Sequence, residues 1–200
     1  MINGWQRYLS IEEDFLKARY YVSFDIDNVY SDFFSKSVII LGAEIEAAFK
    51  DLCRAISGKA PDSIEKYKNV ILESFPNIDV LKSTLREDNQ REYYPFKGWK
   101  NKRLSWWDVY SKIKHSSVDT KATLETAVTM LSAYQLLLFL VATYTCEVDS
   151  NEYIIAYTQL DLPRLLIPDV PLGIAIVPSE GLSFIRLNSA KLKQKISNRC

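Results

Sequence analysis

Twenty-one consecutive residues, Thr126 to Cys146 (TAVTMLSAYQLLLFLVATYTC), carry no charge, and no other stretch limits the fold so tightly. A helix of this length can cross a bilayer, or it can form the centre of a helical bundle, where a helix is apolar on every side. Thr126, Thr129, Ser132, Gln135, Thr143 and Thr145 dilute its hydrophobicity, and the flanks show no strong asymmetry of Lys and Arg. A buried central helix beginning near Asp119 or Thr120 is therefore expected, with no membrane contact.

The other helices must cover that core. Ser10-Ile11-Glu12-Glu13 has the form of a capping box, which predicts a first helix over about residues 10–21. From Asp32 to Ser57 the apolar residues Phe34, Val38, Leu41, Ile45, Ala48, Leu52 and Ile56 recur at helical spacing, and Gly58 and Pro61 end the run. Glu44 sits at the edge of this stripe, while Glu46 and Lys50 are expected to pair four residues apart on the wet side. A further helix is predicted over 62–74. Residues 75–104 lack periodicity and read as a long, ordered loop, and Ser105 can cap a short helix from Trp106 to His115.

After residue 148 the character changes. Pro163, Pro168, Pro171 and Pro178 exclude long helices, while EYIIAYT, LGIAIV and LSFIRL are rich in strand formers. The last two are expected to form a hairpin through residues 177–181. The sequence thus predicts a mainly α protein: an up-and-down bundle of four to five helices over 1–148 and a small β-rich appendage over 149–200, ending in a basic tail of Lys191, Lys193, Lys195 and Arg199.

At 200 residues and 48% hydrophobic, the chain can fill one core. Its net charge is zero, which argues against coating nucleic acid by bulk charge, but the distribution is uneven. Residues 97–121 hold seven Lys/Arg against two Asp, and residues 182–200 hold five Lys/Arg and no acid. Cys53, Cys146 and Cys200 are widely spaced, and the N-terminal MINGWQRYLSIEEDF has charges where a secretion signal needs an apolar core. A reducing cytoplasm is the expected location. One histidine and no metal-ligand spacing predict no metal, and no cofactor is expected.

That histidine lies in WWDVYSKIKHSS, residues 106–117. On a helix Trp106, Val109, Tyr110 and Ile113 share one face, and Asp108, Ser111, Lys112 and His115 the other. At the last turn an imidazolium would interact favourably with the helix C-terminus, which alone explains the residue. Imidazole chemistry also makes His115 the natural acid or base in a basic, aromatic neighbourhood suited to phosphates and bases. In that reading Lys100, Lys102, Trp107 and Lys114 contact nucleic acid.

The order of the pieces is more specific: the AEIEAAFKDLC helix, a linking region, the aromatic loop YPFKGW, the Trp-Trp-x-x-Tyr-x-x-Ile-Lys-His run, then a long apolar helix. Over roughly residues 30–146 this resembles the HEPN superfamily of helical bundles (higher eukaryotes and prokaryotes nucleotide-binding). The resemblance implies a homodimeric bundle of prokaryotic toxin–antitoxin or phage-defence systems, whose active members cleave RNA without metal. There an arginine, separated from a histidine by four to six intervening residues, completes a site across the dimer. His115 matches the histidine, but Asp108, Val109 and Tyr110 occupy the arginine positions, which leaves Arg103, Lys112 or Lys114 to supply the cation and Glu44 to face it from the other helix. The expected function is binding of RNA or nucleotide, with metal-independent RNase activity through His115. The alternative is a non-catalytic interaction or scaffold module, with Trp99, Trp107 and the 97–104 loop contacting a protein partner or antitoxin.

Overall fold

A computed structural model describes residues 2–24, 26, 28–86, 91–115, 121–145, 152–156, 163–170, 172–177 and 182–197. In chain order the elements are α1 (Ile2–Ala18), α2 (Asp32–Ser57), α3 (Ile64–Ser74), a 3-10 turn (Ile78–Val80), β1 (Ser83–Leu85), β2 (Glu92–Tyr93), α4 (Ser105–His115), α5 (Leu124–Thr145), β3 (Glu152–Ala156), β4 (Leu166–Pro168), β5 (Leu172–Val177), β6 (Leu182–Asn188) and α6 (Ser189–Ser197). The protein is mainly helical with small antiparallel sheets.

The central helix α5 packs against α2 along its length and also meets α1, α4, α6 and both sheets. Leu124–Tyr144 is apolar and long enough to cross a membrane, yet 89% of its most apolar window is buried inside the fold, the environment of a core helix. The α2 stripe lies under it: Phe34, Val38, Leu41, Ile45, Ala48 and Leu52 are buried, and Ile56 packs at the edge. Ser31 starts α2 by accepting the Phe34 N–H at 3.1 Å. Gly58 ends it in the left-handed conformation, φ 73°, where a Cβ would be strained, and donates its N–H to Arg54.

The central helix starts at Leu124, where Thr123 accepts the Thr126 N–H at 3.1 Å, and not near Asp119 or Thr120; three further regions differ from the sequence expectation. First, α1 begins at Ile2, so Ser10 and Glu13 lie within the helix and do not start it. Trp5 and Tyr8 are buried and stacked 5.1 Å apart, and this packing carries the helix back to Ile2. Second, the 75–104 loop contains β1 and β2. β1 is the centre of a three-stranded sheet, β2-β1-β4, pairing Ser83 with Tyr93 and with Pro168. β4 comes from beyond residue 148, so the C-terminal segment shares a sheet with the loop. Third, the basic C-terminal stretch includes α6, whose Leu192 and Ile196 are fully buried while Lys195 pairs with Asp169 at 2.8 Å. Arg199 lies outside the described residues.

The second sheet, β3-β6-β5, pairs β5 with β6 from Leu172–Leu187 to Val177–Leu182. The connecting residues 178–181 are outside the described set, as are Cys146 and Cys200. Cys53 is buried on α2.

A buried polar chain ties these layers together. Glu12, 1% exposed, accepts from the Tyr8 hydroxyl at 2.8 Å and from the backbone N–H groups of Arg164 and Leu165 at 2.8 and 2.9 Å. Gln135 on α5 donates to Tyr8 Oη and to the Leu166 carbonyl, and accepts from Ser83, which in turn accepts from Ser132. These buried donors and acceptors have partners only in this arrangement of α1, α5, β1 and β4, so the chain fixes one register among them.

Candidate phosphate-binding site at the end of the fourth helix

The α4 helix is anchored by its aromatic face. Trp106 is buried and its indole N–H donates to the Pro95 carbonyl at 2.7 Å. Trp107 is 8% exposed and packs on Phe49 and Tyr110, and Trp99 is 1% exposed between Phe49 and Phe96. The expected base-stacking or partner-contacting role of Trp107 and Trp99 is therefore corrected: both rings are spent on the core. Lys100 and Lys102 of the preceding loop are exposed, and so are Lys112 and His115 in the last turn of α4.

The expected catalytic residues do not converge. Glu44 faces α1 and α5, where it pairs with Arg7 at 3.2 Å and accepts from Tyr134 at 3.0 Å. Arg103 pairs with Asp108 at 3.4 Å at the opposite end of α4 from His115. A composite of Glu44, Arg103, Lys112 and His115 in one cleft is thus not formed within the chain. The reason for Glu44 is angular: it points to α1 and α5, and Glu46, two residues on and about 200° around the helix, points to α4.

The structure instead assembles a group around Glu46. Its Oε1 accepts from the Tyr110 hydroxyl at 2.9 Å and from Lys114 Nζ at 3.0 Å, and that ammonium lies 5.2 Å from the Tyr110 ring centroid. The expected Glu46–Lys50 pair gives way to this interhelical one. Gly42, one turn before Glu46, lets Tyr110 in, since a Cβ at that position would come within 2.2 Å of the ring. Hydrogen bonds to Tyr110 and Glu46 raise the Lys114 pKa, holding it charged. Burial, helped by the Glu46 charge, raises the pKa of Tyr110, and burial followed by Glu46 does the same for Tyr67 from α3. Both phenols stay neutral.

The sequence contained two signals for this group: Gly42 and Glu46 are four apart on α2, and Tyr110 and Lys114 are four apart on α4. Only their facing across the bundle makes them one site. The result is a fixed cation, 44% exposed, on the same helical turn as Lys112 and His115. Lys114 can offer a phosphate a charge-assisted hydrogen bond, while Lys112 lies about 160° further round the helix axis and His115 between the two. Among the described residues no group of His, Cys, Asp and Glu could hold a metal ion. No family model, curated protein or solved structure matches the chain.

Proposed function

We propose that this chain is a HEPN-like helical protein that binds RNA or nucleotide phosphates through Lys112, Lys114 and His115, as a cytoplasmic homodimer of a prokaryotic toxin–antitoxin or defence system. The observation that carries the reading is the Glu46–Tyr110–Lys114 group, which orders one cation of a three-residue basic turn. Binding is the better supported activity. Stabilising a phosphorane takes cationic donors in fixed positions, and Arg103 and Glu44 are bonded elsewhere.

Anisotropy of a labelled single-stranded RNA across a salt series tests it. Affinity should fall steeply with salt, and Lys114→Ala should weaken binding about tenfold and lower the salt slope by about one. Salt-independent binding, or none, removes the proposal. Cleavage in EDTA by the native protein but not by His115→Ala would add ribonuclease activity.

A further inference from the structure

One face of α2 is left uncovered by the bundle. α5 lies on the stripe from Phe34 to Leu52, α4 on the Gly42 and Glu46 side, and Arg7 of α1 reaches Glu44. The middle of the remaining face is apolar: Ile39 and Ile40 are 37% and 53% exposed. Ala43 and Ala47 are exposed one and two turns further on, and their small side chains let another helix come close. Opposite charges stand at each end of this patch, in the same order. Asp32 precedes Lys36 at the start of α2; both are exposed and, among the described residues, neither has an ion partner. Asp51 precedes Arg54 near the end, and these two pair at 2.7 Å with more than half of each side chain in solvent. Asp32 and Arg54 each lie eleven residues from Ala43, and Lys36 and Asp51 lie seven and eight from it. Eighteen residues make five turns, so Lys36 and Arg54 share one line along the face, and Asp32 and Lys50 share another about 40° away.

We propose that α2 pairs through this face with α2 of a second copy of the chain, antiparallel, about a two-fold axis at Ala43. The inference rests on the homodimer reading above and names the surface that makes it. A two-fold contact requires a patch complementary to itself. Laying the copy antiparallel inverts the order of its charges, so Asp32 meets the partner's Arg54 and Lys50, Lys36 meets the partner's Asp51, and Ile39 and Ile40 lie on the partner's Ala47. A parallel copy would set like charges on like. The Asp51–Arg54 pair stays intact, since an exposed pair of this kind holds its members weakly and leaves polar atoms of both open to a second, opposite neighbour. A nucleic-acid strand, negative throughout, would meet Asp32 at one end and Asp51 at the other.

Sedimentation equilibrium of the full chain over a range of concentrations tests it. The native protein should be dimeric. Ala43→Arg sets two guanidinium groups against each other at the axis and should raise the dimer Kd at least about a hundredfold. Asp32→Arg and Arg54→Glu should each weaken association about tenfold, yet the two variants mixed should recover most of the native affinity. In the mixed dimer one 32–54 contact is native and the other is an inverted ion pair. All three positions are exposed, so the circular dichroism of each variant should match that of the native chain. A dimer that survives Ala43→Arg, or single variants that stay weak when mixed, overturns the α2 interface and leaves the homodimer reading standing. A monomer at every concentration overturns both.

Discussion

Two tyrosine–glutamate pairs in this protein have the same chemistry and different uses. Tyr8–Glu12 is sealed between α1, α5 and the β1–β4 strands, where Glu12 also accepts backbone N–H groups. Tyr110–Glu46 lies at the bundle edge, and its third member is the half-exposed Lys114. The first carboxylate spends its acceptor capacity on the fold. The second leaves a charged ammonium facing water. Burial decides which pair becomes framework and which can meet a ligand, because the low dielectric that strengthens a fully satisfied network also excludes a visitor.

The comparison breaks most visibly at Glu12. Glu12→Ala leaves the Tyr8 hydroxyl and the backbone N–H groups of Arg164, Leu165 and Leu166 without their acceptor, and should cost about 3–5 kcal/mol in urea unfolding. A loss under about 1 kcal/mol would mean that the network is not sealed. Gly42→Ala comes next. Its methyl must displace the Tyr110 ring, so about 1–3 kcal/mol should be lost, and RNA affinity should fall with it as Lys114 loses its partner. Unchanged affinity would separate Tyr110 from the binding turn.

Lys114→Ala sharpens the contrast from the other side. Stability should change by less than about 1 kcal/mol, since Glu46 is partly solvated and keeps Tyr110, while RNA binding weakens. A large stability loss would assign Lys114 to the framework as well. Alkaline pH gives a graded test. Burial raises the pKa of Tyr8, and Glu12 adds to the shift; burial and Glu44 do the same for Tyr134. Raised folded values mean that this stabilisation is fully present below the unfolded tyrosine pKa of about 10 and is lost as pH climbs through the folded values. Urea midpoints should begin to decline near pH 9, where the unfolded Cys53 thiol ionises while the buried one does not, and fall further above about 10 as the tyrosines follow.

The smallest expected effect is at Cys53, whose thiol is pushed up to about 11 by burial. Alkylation at pH 8, followed on the Cys53 peptide by mass spectrometry, should be slow in the native protein and fast in urea. Equal rates would show that the α2 core opens readily.

Much of the bundle was legible. The α2 boundaries, the α5 core helix and the strands at 152–156, 172–177 and 182–188 follow from periodicity, β-branched content and the stops at Gly58 and Pro61. The start of α1 was not, because residues 2–9 are held helical by Trp5 and Tyr8 packing on neighbours far along the chain. β1 was hidden for the same reason: three residues without alternation become a strand only when β2 and β4 pair with them. In the candidate site helical spacing puts His115 and Lys112 on the wet face of α4, as they are found, whereas the burial of Trp107 and Trp99 is not legible, because aromatic residues among lysines read alike in a core and on a surface.

By itself, then, the sequence determined a helical bundle built round an uncharged helix, since periodicity and the absence of charge are local properties of the chain. Only the tertiary structure decided that Glu46, and not Glu44, faces Lys114, and that Glu12 is buried under residues 164–166. Those outcomes depend on which helix faces meet, and a helix two residues further round its axis presents the opposite side.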